Sequence, residues 1–180
     1  RRAQVLCNWL RAISDFVSEY VELPSVELPE VDVDPADPNL ELLEEAAEAI
    51  RHQWGLEDQP ISNATWLLEG FGAVITYTDL QCQKQDAFSQ WDDSGAVDRP
   101  YIVLNKEKGT AVRWRMDVAH ELGHLICHRS VCGEISRPLH KNLEAQAFRL
   151  AGALLMPRES FLDEVGPVNL HSLLALKERW

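Results

Sequence analysis

The segment from Thr110 to His128 constrains this chain more than any other, because it reads as a helix with almost no polar face. Val112, Met116, Ala119, Gly123 and Ile126 recur at three- and four-residue spacing, and Val118, Leu122 and Leu125 widen that stripe. What remains is a narrow strip of Asp117, His120, Glu121, His124 and His128. Such a helix has to be covered over most of its circumference, so the fold must be built around it. Buried acids and imidazoles in turn need partners. For two histidines one turn apart, a single metal ion satisfies both.

The run His120-Glu121-Leu122-Gly123-His124 has the required spacing. Residues four apart share a helix face, and two imidazoles so placed can converge on one zinc ion at roughly 2.0–2.1 Å each. Glu121 points aside, close to the ion without having to bind it. There it can serve as general base on a zinc-bound water, whose pKa the metal brings towards about 7, and pass the proton to a leaving amine. Alone, the same residues would also suit an amphipathic helix with surface His and Glu. The burial of the helix favours the metal.

A catalytic zinc keeps three protein ligands and one open position. Cys127 and Ser130 stand where the HExxHxxGxxH pattern needs Gly and a third His, so that pattern fails. His128 lies eight residues from His120, about 12 Å along the helix axis, too far to share its ion. It reads either as a group behind the ligands or facing substrate, or as a cap on the helix C-terminus. Downstream stand Glu134, His140 and Glu144. Glu144 lies one turn inside a second helix, about Lys141 to Leu155, beside the stripe Leu143, Ala147, Leu150, Ala151 and Leu154. Packed antiparallel on the site helix, this element would offer Glu144 from a rigid platform; otherwise Glu144 is an ordinary first-turn acid. His140 is the alternative ligand.

Elsewhere the pattern is α+β and mostly helical. Ala3 to Val21 has helical periodicity, with Val5, Leu6, Trp9, Leu10, Ile13, Phe16, Val17 and Tyr20 on one stripe that must cover something. Residues 22–39, with Pro24, Pro29, Pro35 and Pro38 among acids, read as an extended linker. Helices are expected over Leu40–Trp54 and Ile61–Glu69, and a last one over Leu170–Trp180. Gly72–Thr78, Ala87–Trp91 and Tyr101–Leu104 read as strands of one small antiparallel sheet packed on the site helix. The expected division is residues 1–38, the tail of an upstream region, and residues 39–180, the metal-site domain. Arg1 at the start and Trp180 inside an expected helix fit a piece of a longer protein.

The formal net charge of −12 lacks the basic balance that phosphate backbones or anionic membranes demand, so direct nucleic-acid binding is not expected. No apolar run is long enough to span a membrane, and no basic-then-apolar leader opens the chain. Cys7, Cys82, Cys127 and Cys132 show no CxxC spacing, which suits unpaired thiols in a reducing compartment and a cytoplasmic chain.

Two stretches carry a family resemblance. Arg115 to His128, RMDVAHELGHLICH, resembles the RxxxAHELGHxxxH signature of the ImmA/IrrE metallopeptidases. Leu143 to Pro157, LEAQAFRLAGALLMP, resembles that family's EAxxFAxxLLMP segment, and the two motifs follow in the right order. The match departs at Gln146-Ala147 and Ala151-Gly152. The resemblance covers about Leu40 to Trp180. It implies a zincin-like domain with zinc on His120, His124 and Glu144, and Glu121 as the catalytic glutamate. It also implies cleavage of regulatory proteins, such as repressors in mobile-element or stress-response control, and an N-terminal helix-turn-helix domain in many bacterial members. The leading expectation is a zinc metallo-endopeptidase. A zinc-stabilised, non-catalytic regulatory or antitoxin-like module is the alternative, and a metal-free helical domain the third reading. Oligomeric state and the oxyanion-stabilising group are open, with Tyr101, His140 and Arg158 conceivable for the latter.

Overall fold

The apolar run Tyr101-Ile102-Val103-Leu104 becomes the buried middle of a sheet, because a strand covered on both faces carries no polar alternation. The computed structural model describes residues 2–80, 86–92, 97–107 and 110–180. In chain order its elements are α1 (Arg2–Ser18), α2 (Glu41–Gln53), α3 (Ala64–Gly70), β1 (Val74–Thr78), β2 (Ala87–Asp92), β3 (Arg99–Asn105), α4 (Ala111–Cys127), α5 (Arg137–Leu155), α6 (Arg158–Glu164) and α7 (Leu170–Arg179). This is a mostly helical α+β fold with one small sheet.

The sheet is mixed, which corrects the all-antiparallel expectation. Its order is β1-β3-β2: β3 pairs with β2 antiparallel and with β1 parallel. A meander would have set β2 between its sequence neighbours. Instead the most apolar strand, β3, takes the centre, and β2, half-buried along its whole length, takes an edge. β2 lies against α4, where Trp91 Nε1 donates to the carbonyl of Leu125 at 2.8 Å.

The helix boundaries follow local chemistry. Thr110 caps α4 by accepting from Arg113 N, and Ser136 caps α5 by accepting from Leu139 N. Pro138 sits in the first turn of α5, where its missing donor costs nothing, so this helix begins one turn earlier than its apolar stripe suggests. Val118, Leu122, Leu125 and Ile126 of α4 and Leu150, Ala151 and Leu154 of α5 share one core with Leu43, Ala47 and Ile50 of α2. Arg51 is buried at the end of α2, and donates to the carbonyls of Leu154, Glu57 and Gln59. It thereby serves the orphan carbonyls at the α5 C-terminus.

The acidic stretch after α1 is extended, as its prolines require, and it lies along the helical core. Val31 N donates to Ile126 O at 3.0 Å, Val33 is buried, and Arg99 donates to Pro24 O at 3.1 Å. Gly72 has φ +88°, and a Cβ there would meet Ser25 O at 2.5 Å, so only glycine lets this strap pass. α1 turns Cys7 inward and its Arg11 to Asp92 of β2 at 3.7 Å, while Trp9, Ile13, Phe16 and Tyr20 stay exposed.

Helices α4 and α5 meet at Gly123 and Ala147. A Cβ on Gly123 would stand 2.9 Å from Ala147 Cα and 3.0 Å from its carbonyl oxygen. Gly123→Ala gains about 1 kcal/mol of helix propensity, but overpacking against a buried backbone costs about 1–3 kcal/mol. A net loss of about 1 kcal/mol, and at most about 2 kcal/mol, is expected from urea unfolding. Unchanged or raised stability would show that the helices are not in close contact there.

Candidate metal centre

The α4 period carries His120 and His124 to one side, and the approach at Gly123 brings α5 within reach of both. As α4 runs from His120 to His128, its partners on α5 run back from Phe148 to Gln146. Glu144 stands one turn before Phe148 on α5, against both histidines. His120 Nε2 is 3.1 Å from His124 Nε2 and 3.3 Å from Glu144 Oε2, and His124 Nε2 is 3.4 Å from Glu144 Oε1. These are the donors among the described residues that cluster as a metal-binding set. A tetrahedral ion with bonds of roughly 2.0–2.1 Å has ligand atoms about 3.3 Å apart, so the triangle has the size that such an ion requires. The donor chemistry, two imidazoles and a carboxylate, fits zinc as well.

The electrostatics agree with a cation-seeking centre. The His120 imidazole, and then that of His124, hold the neighbouring Glu144 carboxyl well below the usual carboxylate range. His120 also packs its ring on Phe148, with centroids 4.1 Å apart. The other sequence candidates fall away. Glu134 is exposed and outside the cluster. His140 Nε2 lies 3.9 Å from Glu144 Oε1, at the rim. Tyr101 is buried and hydrogen-bonds Ser14 of α1, and Arg158 pairs with Glu44 at 3.7 Å.

Glu121 is buried beside the centre. Ser89 Oγ of β2 donates to Glu121 Oε2 at 2.6 Å and lies 3.3 Å from the Glu121 carbonyl. Burial raises the Glu121 pKa, and the Ser89 hydrogen bond and the two histidines oppose that rise. Sequence reasoning missed Ser89, because a serine in a weak strand carries no local signal of a partner 32 residues away. It also left His128 open between capping and a place behind the ligands. His128 is the residue that closes α4, but its side chain reaches His124 Nδ1 at 3.0 Å and Gln146 Oε1 at 2.9 Å. Burial lowers its pKa, with the Gln146 hydrogen bond opposing.

A cleft of about 570 Å³ opens over the centre, walled by residues 87–91 of β2 on one side and by His140, Leu143 and Glu144 on the other. Glu121, His124 and His128 form its floor. A larger acidic hollow of about 780 Å³ lies along α2, around Glu41, Glu44, Glu45 and Glu48, away from the donor triangle.

Two imidazoles from one helical turn, a carboxylate from the next helix and a buried glutamate beside them, under a cleft walled by a strand, define a metallopeptidase-type domain. The chain belongs to the peptidase family described as IrrE N-terminal-like domain, whose family model matches residues 68–180. That stretch holds every residue of the centre, and membership implies a metal ion and a protein substrate. No curated protein matches the chain. Among the described residues, no helix is long and apolar enough to cross a membrane.

Among the described residues, the cysteines stand outside the donor set. Burial pushes the Cys127 thiol up to about 12 and raises that of Cys7, while Cys132 is exposed; Cys82 lies outside the described residues. A thiolate is the reactive form. Alkylation of the folded chain at pH 8 is therefore expected to label Cys132 quickly and to leave Cys7 and Cys127 unlabelled, as read by peptide mass mapping. Rapid labelling of Cys127 would mean that the end of α4 is open.

Proposed function

We propose that this chain is a zinc-dependent endopeptidase that cleaves a regulatory protein, with His120, His124 and Glu144 as the zinc ligands and Glu121 as general base. The observation that carries this reading is two imidazole nitrogens 3.1 Å apart, one 3.3 Å from one Glu144 oxygen and the other 3.4 Å from the second, beside a buried carboxylate. Zinc, when bound, supplies Lewis acidity for a carbonyl and for an attacking water. Glu121 takes the proton of that water and returns it to the leaving amine. Its burial makes proton uptake favourable, and Ser89 keeps the carboxylate aimed by one strong hydrogen bond.

The cleft suits an extended peptide. β2 is an edge strand of the sheet and walls the cleft, so a substrate backbone laid along it would add a strand. The choice of a transcriptional repressor as substrate follows from the sequence resemblance, a cytoplasmic location from the cysteine spacing, and a division of the chain at residue 38 from its proline-rich acidic stretch; all three belong to this proposal.

Glu121→Gln is expected to retain one zinc per chain and to lose about 10²–10⁴-fold in peptide cleavage, measured on a peptide library with metal content read in parallel. Cleavage by the variant at the parent's rate would remove Glu121 from the chemistry. No cleavage by the parent of any library member or repressor would leave a binding module instead. The pH profile offers a second check. A hydrogen bond to the ionised carboxylate lowers its pKa, so removing it in Ser89→Ala raises that pKa. The acid limb of the cleavage profile is expected to move to higher pH in Ser89→Ala and to return in Ser89→Thr. Superimposable profiles would mean that Ser89 does not act on Glu121.

A further inference from the structure

Behind the donor triangle runs a chain of hydrogen bonds that the proposed chemistry does not use. Gln146 is fully buried, and its Nε2 donates to the carbonyls of Asp34 and Asp37, at 2.9 and 3.0 Å. Its Oε1 faces His128 Nε2 at 2.9 Å, and His128 Nδ1 faces His124 Nδ1 at 3.0 Å. We propose that Gln146 and His128 are positioning residues that hold His124 in the tautomer with Nδ1 protonated and Nε2 bare. The inference rests on the metal-site reading above and adds to it the device that prepares one ligand.

Each link follows from what the groups can donate and accept. Backbone carbonyls only accept. Two of them face one end of the Gln146 side chain, so that end is the NH₂ and both its hydrogens are used. The other end is then the carbonyl oxygen, which also only accepts. His128 Nε2 must therefore carry a hydrogen. Only one hydrogen can lie between His128 Nδ1 and His124 Nδ1. If His128 supplied it, the ring would be a cation at a site 7% exposed and one step from a metal centre, which is costly. His124 supplies it instead. Its Nε2 keeps a lone pair, and this is the atom 3.1 Å from His120 Nε2 and 3.4 Å from Glu144 Oε1.

The arrangement is one-sided. His120 Nδ1 is buried with no hydrogen-bond partner among the described residues. Of the two histidines, only His124 is held from behind. The origin of the hold is the strap at residues 34–37, more than 100 positions earlier in the chain, which fixes which way the Gln146 amide points. Groups that orient a ligating histidine commonly matter 10–100-fold for metal affinity.

The test reads the tautomer directly. In the full chain, metal-free at pH 8 and with ¹⁵N-labelled histidine, long-range ¹H–¹⁵N correlation is expected to show His124 protonated at Nδ1 and bare at Nε2. Gln146→Met, which keeps the shape but removes the amide, is expected to give mixed tautomers at His124. It should also weaken zinc binding by about 10–100-fold in chelator competition. Because that variant strips the strap carbonyls of their donor and can lose its fold, the His128 pair provides a second route. His128→Leu is expected to weaken zinc binding to the same degree, and His128→Asn, whose Oδ1 stands where Nδ1 stood, to restore most of it. His124 protonated at Nε2 in the parent, or zinc affinity unchanged in both His128 variants, overturns the inference. A parent that shows the expected tautomer yet binds no zinc would sink the metallopeptidase reading, and with it the ligand role, while leaving the hold on the His124 tautomer standing.

Discussion

Everything in this molecule depends on how closely α4 and α5 approach at Gly123 and Ala147. An ordinary pair of helices lies 8–10 Å apart, set by the side chains between them. Here one residue has no side chain and the other has a methyl group, and the ideal Cβ position on Gly123 falls 2.9 Å from the α5 backbone. A carboxylate on a glutamate stem can then reach two imidazoles on the facing helix. The glycine sits between the two histidines, so the residue that permits the approach belongs to the same turn that supplies the donors. Packing and chemistry are set by one five-residue run.

Around that contact the chain adds rigidity from several sides. β2 is pinned to α4 by Trp91 and Ser89, the strap is pinned by Val31 and Gln146, and α2 is pinned by Arg51 to the end of α5. Many of these bonds use buried backbone carbonyls as acceptors, which satisfies groups that would otherwise be stranded away from water. The result is a site in which the buried Glu121 carboxylate and one imidazole each have a dedicated partner on a different element. Such support from rigid elements is what holds a site in productive geometry.

Much of this was legible in the sequence, and the rest was not for physical reasons. The buried helix, the paired histidines and the glutamate on the next helix are local patterns, readable from period and spacing. The resemblance to ImmA/IrrE metallopeptidases extended them to a family that the comparison bears out over residues 68–180. The sheet was misjudged because pairing partners are not written in strand sequences: β1 and β3 pair across a gap in the chain that holds β2. Ser89 and Gln146 were missed because their meaning lies in contacts 32 and 18 residues away. Gln146, named from the sequence only as a departure from the family segment, is the residue that faces His128. The prolines of residues 22–39 correctly predicted an extended path. They could not say that Val31 and Val33 of that path would lie against the core.

The account stands or falls on two imidazoles and one carboxylate meeting around one cation. X-ray absorption at the zinc edge of the zinc-loaded full chain measures that set directly. The predicted result is a shell of nitrogen and oxygen neighbours at about 2.0–2.1 Å, with the outer-ring scattering of two imidazoles and no sulfur. Sulfur at about 2.3 Å, or scattering from one imidazole only, would contradict it.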